Sequence, residues 1–162
     1  MGPLVTHEAR ERVLGYIQKG LDEGAKLVLD GRQARVERYS NGYFLGPTIF
    51  DQVTPDMTIA RDEIFGPVAS IIRSDKLDEA IEMINTKSNY GNEACIFTSS
   101  GKNAREFRRK VKAGNIGVNI GIAAPMGFFP FAGFKESFFG VLHGQVDSVH
   151  YFTDKKVVVS RW

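Results

Sequence analysis

Between Val68 and Gly121 the chain alternates apolar extended runs with helix-spaced apolar faces, and no other feature narrows its possible folds as much. "VASIIRS" (68–74) reads as a strand, Leu77, Ala80, Ile81 and Ile84 as one face of a helix, and "EACIFTS" (93–99) as a second strand. Ala104, Phe107 and Val111 then mark a second helix, stopped near Gly114, and "NIGVNIG" (115–121) is a third strand. The pattern predicts an α/β fold with a β-α-β-α-β core. Single crossover helices return the chain in the same direction, so the strands are expected to pair in parallel with right-handed connections. Helices on the faces should leave those strands buried.

The flanks are less regular. From Thr6, a plausible N-cap, Ala9, Val13, Leu14, Ile17 and Leu21 predict an amphipathic helix that stops at Gly24. "KLVLDG" reads as a short strand before a turn. "GYFLGPTIF" reads as extended, and Pro47, which has no N–H to give to a ladder, points to an edge. After Asn119, "GIAAPMGFFPFAGFKESFFG" carries phenylalanines 128, 129, 131, 134, 138 and 139, half the chain's 12, among glycines and prolines that break regular elements. These rings suit either a core or the wall of a cavity. The end, "KKVVVSRW" (155–162), reads as a terminal strand rich in β-branched residues. No repeat, linker or composition shift divides the 162 residues, so a single domain is expected.

Composition excludes more than it selects. A formal net charge of +2 does not by itself imply nucleic acid or an acidic membrane as partner, and no run approaches a membrane-spanning length. The opening "MGPLVT" matches a myristoylation pattern only loosely, since Pro3 follows the glycine directly. The single cysteine, Cys95, suits a reducing compartment, cytoplasm or mitochondrial matrix. It lies in an apolar strand without a neighbouring histidine, as an inert core thiol would. Histidines 7, 143 and 150 include no closely spaced pair, so no metal site is expected. Arg105, Arg108, Arg109, Lys110 and Lys112 form either a solvated helix face or an anion contact. "DEIFGPV" (62–68) admits two readings. Glu63 is a solvated carboxylate with Phe65 plugging the core, or Glu63 accepts hydrogen bonds from a sugar diol while Phe65 lies against an attached ring.

The stretches "GYFLGPTIFDQVTPDMTIARDEIFGPV", "NYGNEACIFTSS", "AGNIGVNIG", "PFAGFKES" and "KKVVVSRW" resemble, in order and spacing, the C-terminal part of the aldehyde dehydrogenase superfamily. "APMGFFPFAGFKESFFGVLHGQ" resembles its CoA-acylating methylmalonate-semialdehyde dehydrogenase branch. The resemblance implies that Glu63 binds the nicotinamide ribose of NAD, that Phe65 contacts the nicotinamide, and that Phe131, after Pro130, lines the substrate tunnel. Two departures alter that tunnel: Ala132 follows Phe131, and Phe134 stands where the branch often has tryptophan. The family's nucleophilic cysteine and cofactor domain lie N-terminal to the matched region. The resemblance therefore implies a C-terminal fragment of the catalytic domain, inactive alone. Its expected partners are the missing N-terminal part, a semialdehyde, coenzyme A as co-substrate, and further copies joined through strand 155–162. A noncatalytic assembly module is the alternative.

Overall fold

The computed structural model describes residues 1–140 and 144–162, and the chain falls into two compact units, Met1–Met83 and Ile84–Trp162. The division lies inside a helix, Leu77–Thr86, where no proline or glycine marks it.

The first unit is built on helix α1, His7–Asp22. Thr6 caps it by accepting the Ala9 N–H at 3.1 Å, and Gly24, at φ +90°, turns the chain out of it. Strands β1 (Lys26–Leu29), β2 (Thr48–Asp51) and, after the one-turn helix α2 (Thr58–Arg61), β3 (Val68–Ser70) form a sheet in the order β1-β2-β3. β1 and β2 are antiparallel; β2 and β3 are parallel, with Thr48 opposite Val68 and Phe50 opposite Ser70. Val13 and Ile17 of α1 pack with Phe50, Val53, Ile59, Ile64, Ala25 and Leu45 into the core. Gly20 brings α1 close to Phe50 and Ile59, whose side chains leave no room for a Cβ. The one buried polar side chain among the core residues, Thr48, is satisfied by the Gly31 N–H at 3.1 Å.

Two expectations change here. β2 is the central strand, and Pro47 sits immediately before its first ladder residue, where a missing N–H costs nothing. β3 takes β2 as its neighbour, so it does not extend a ladder made by the later strands. It ends after three residues, and the guanidinium of Arg73 turns back to Asp51 at 2.6 Å while Ile71 and Ile72 stay exposed.

In the second unit, α3 (Leu77–Thr86), which begins in the first, leads through β4 (Tyr90–Gly91) to β5 (Glu93–Ile96). Helix α4 (Gly101–Lys110) and strand β6 (Asn115–Val118) follow, with β6 parallel to β5 and Cys95 opposite Gly117. This half of the β-α-β-α-β expectation forms as read. Phe107, Val111 and Ala113 are buried. β5 and β6 themselves are mostly half-exposed, because among the described residues each has only the other as a ladder neighbour. A two-residue strand β7 (Phe134–Lys135) pairs antiparallel with β4, and helix α5 (Gln145–Phe152) follows. Among the described residues, 153–162 form no helix or ladder, and Val157, Val158 and Val159 are exposed. A strand requires a neighbour to complete its hydrogen bonds, and the described residues supply none at this point.

The Asp51–Arg73 pair gives the first unit an acid-sensitive contact. Hydrogen bonding from Arg73, then from the Gln52 N–H, holds the Asp51 carboxyl below its ordinary value of 3.8. A carboxyl with a lowered folded-state pKa stabilises the fold above the unfolded value and loses that contribution as pH falls through the folded one. Asp51→Asn should therefore lower the urea midpoint at neutral pH, by an amount that shrinks below about pH 4. A deficit unchanged down to about pH 2 would show that the pair is not the source.

Candidate functional site

The stretch from Asp62 to Val68 is pinned at every second residue. The Asp62 N–H donates to the Thr58 carbonyl at 3.0 Å, and the Tyr16 hydroxyl donates to the Asp62 carboxylate at 3.1 Å. Ile64 enters the core. Gly66 lies so close to α1 that a Cβ there would meet Val13 at 2.6 Å. The Pro67 carbonyl accepts the Thr48 N–H at 2.8 Å, which ties the stretch to β2. Between these anchors Glu63 and Phe65 project outward.

Phe65 is 79% exposed with φ +54°, so it is no core plug. A bulky residue in the left-handed region is strained, and here the anchors on both sides, Ile64 and Gly66, impose it. The Glu63 side chain is exposed and makes no hydrogen bond or ion pair among the described residues. Its two carboxylate oxygens are thus open to an incoming pair of hydroxyl donors.

Phe131 belongs to the second unit, in a segment held by a different set of contacts. The Asn115 side-chain amide donates to the Ala132 carbonyl at 2.9 Å. The Gly91 N–H donates to the Ser137 hydroxyl at 3.1 Å, and the Glu136 N–H to the Asn89 carbonyl at 3.1 Å. The ammonium of Lys135 donates to the carbonyls of Ile84 at 2.6 Å and Ser88 at 2.8 Å, closing the C-terminal end of α3. Burial, and then the charge of Lys112, lowers the Lys135 pKa. Phe131 and Phe138 are half-buried, whereas Phe128, Phe129, Phe134 and Phe139 are exposed. The aromatic segment is therefore not a hydrophobic core. Asn115, Lys135 and Ser137 escaped the sequence reading because each acts on a partner 17 to 51 residues away.

Cys95 is half-buried, and its thiol donates to the Glu93 carboxylate at 3.1 Å. That hydrogen bond, then burial, raises its pKa, which is the reverse of what a nucleophile needs. His7 sits at the start of α1, 3.8 Å from Glu11, and His150 is exposed on α5. His143 lies outside the described residues, as do Val141 and Leu142 of the branch signature "FFGVLHGQ". Among the described residues no group of three His, Cys, Asp or Glu side chains comes together to hold a metal.

Known proteins can be set beside this geometry. The sequence pattern of the aldehyde dehydrogenase family matches residues 1–158. The chain belongs to that family. Malonate-semialdehyde dehydrogenase 2 of Geobacillus kaustophilus is 53% identical over the whole of this chain, and malonate-semialdehyde dehydrogenase of Bacillus subtilis is also 53% identical. Among solved structures, one described as a methylmalonate-semialdehyde dehydrogenase from Sinorhizobium meliloti complexed with NAD superposes with a TM-score of 0.93 at 42% identity over 100% of the chain. The methylmalonate-semialdehyde dehydrogenase of Oceanimonas doudoroffii gives 0.92 at 41% over 99%. The chain spans 33% of the length of each of these relatives.

Among the described residues of this aldehyde dehydrogenase chain, two of the four non-glycine residues at positive φ, Phe65 and Lys135, lie in the stretches "DEIFGPV" and "PFAGFKES". Strain concentrated in this way marks positions whose conformation is imposed by their surroundings. At Phe65 the ring is too exposed to repay the strain by burial. Phe65→Gly should accordingly raise the unfolding free energy of the chain by up to about 1 kcal/mol, and Phe65→Ala, which keeps the Cβ, should leave it within about 0.5 kcal/mol. Urea denaturation checks both; a glycine variant less stable than wild type would mean that the ring carries packing energy.

Proposed function

We propose that this chain supplies the nicotinamide-ribose contact and part of the substrate-tunnel wall of an NAD-dependent, CoA-acylating dehydrogenase of malonate or methylmalonate semialdehyde. One observation carries the reading: the Glu63 carboxylate is exposed and unengaged beside a Phe65 ring that its own backbone forces outward. A carboxylate offers two acceptors at the spacing of vicinal hydroxyls, and an exposed ring offers a flat face to a planar heterocycle. The residues present thus fit a nicotinamide riboside. NAD, when bound, accepts a hydride.

Glu63 orients the ribose by accepting from its hydroxyls, Phe65 restricts the ring attached to that ribose, and Phe131 shapes the path of the aldehyde. Asn115, Lys135 and Ser137 fix the segment on which Phe131 sits. The nucleophile belongs to the two thirds of the relatives' length that this chain does not span, since Cys95 is masked by Glu93. The chain alone is inactive on this reading, and coenzyme A is the acyl acceptor of the whole enzyme. The test is Glu63→Gln in a complete enzyme containing this segment. It should cost about 1–2 kcal/mol in the hydride-transfer barrier, the scale of a charge-assisted hydrogen bond, read as a slower single-turnover rate at saturating NAD. An unchanged rate together with unchanged NAD affinity would return Glu63 to a solvated carboxylate.

Residues 155–162 join a second copy of the chain. The exposed Val157, Val158 and Val159 and the unladdered backbone around them favour this reading, because such an edge readily accepts another strand. Lys155 and Lys156 oppose open-ended stacking. Light scattering should find a dimer or larger closed oligomer for the chain and a monomer after deletion of Val157–Trp162. A monomeric intact chain at high concentration would overturn this assignment.

A further inference from the structure

Helix α4 carries Lys102, Arg105 and Arg109 at helical spacing along one side, with Arg108 beside them. All four are exposed, and among the described residues none of their side chains makes a hydrogen bond or ion pair. They line a cleft of about 950 Å³ whose other wall is Ile116 and Val118 of β6. Glu106 is the only carboxylate on that lining, and it faces the ammonium of Lys110 at 3.8 Å instead of neutralising the four.

Within the helix, Arg105 repels Arg108 and Arg109 three and four residues on, and Lys102 opposes the dipole in a first turn that contains no acid, while Arg108 and Arg109 favour the dipole in the last turn. In a chain of net charge +2, four unpaired cations in one cleft also form a strong local asymmetry. Guanidinium groups bind phosphate through two parallel hydrogen bonds, so three arginines and a lysine suit a ligand with more than one phosphate. The cleft volume lies in the range of small-molecule sites, and its aliphatic wall suits a base or alkyl part more than a second polar group.

We propose that the α4–β6 cleft binds a small molecule that joins two or more phosphates to a ring or alkyl portion, a polyphosphorylated nucleotide being the simplest form. The site is independent of Glu63, which is an acceptor and would repel phosphate. It is tested on the chain itself, without any assay of turnover.

Adenosine 3′,5′-bisphosphate and inorganic pyrophosphate, titrated at about 0.15 M salt, should give saturable shifts of the amide signals of 101–110 and 115–118, with the nucleotide binding several-fold more tightly. Arg105→Glu/Arg109→Glu should weaken binding at least about tenfold. Lys26→Glu/Arg38→Glu, the same charge change at exposed positions of the first unit, should alter it by less than about twofold. Equal weakening by both double variants would show bulk electrostatics in place of a site. Non-saturating shifts, or sulfate at the same ionic strength displacing the nucleotide as well as pyrophosphate does, would also overturn the proposal. Equal affinity for pyrophosphate and nucleotide would remove the role given to Ile116 and Val118.

Discussion

Gly66 can lie against Val13 only because neither the glycine nor the buried face of α1 carries anything bulkier there, and the first unit's useful geometry follows from that contact. Val13 and Ile17 have no exposed surface. They form a fixed floor, and the chain from Ile64 to Pro67 must cross it between an anchor in the core and a hydrogen bond to β2. With both ends fixed, the residue between Ile64 and Gly66 has few conformations left, and the one it takes is left-handed. The outward Phe65 is thus a consequence of core packing. Burial of the surrounding apolar side chains, about 1.5–3 kcal/mol for each large one, readily offsets about 1–2 kcal/mol of backbone strain.

The second unit reaches a similar result by polar means. The segment Phe131–Ser137 has little apolar burial of its own, and its two-residue strand is too short to hold a register. Side-chain amide, hydroxyl and ammonium groups take up backbone partners on both sides of it. Lys135 contributes most geometry, since one ammonium bridges the end of α3 and the turn after it. Burying that charge has a cost, visible as its lowered pKa, and the two carbonyl partners offset it.

What could be read in the sequence was what depends on near neighbours. Thr6 and Gly24 bounded α1 because caps act within one turn, and the spacing of Ala104 and Phe107 placed α4 between two parallel strands. Strand partnership was not legible. Nothing in "VASIIRS" says that β2 is its neighbour, and Pro47 looked like an edge signal because its position relative to the first ladder residue cannot be seen in one dimension. The terminal valines have strand propensity but no ladder neighbour among the described residues, as a strand that pairs with another chain would. At the site, Glu63 and Phe65 were legible through resemblance, while the residues that anchor the stretch, Tyr16, Val13 and Thr48, lie far from it in sequence.

The two units also differ in what their exposed surfaces can do. In the first, the outward groups are an acceptor and a ring, Glu63 and Phe65, on a backbone too constrained to adjust. Such a surface selects by shape and by donor position, and it disfavours anions. In the second, the outward groups of α4 are four flexible cations, which attract anions at a distance and order only on contact. Rigid acceptors suit hydroxyl donors and mobile cations suit phosphates, because a hydroxyl pair has one orientation to match whereas a phosphate can be met from many directions.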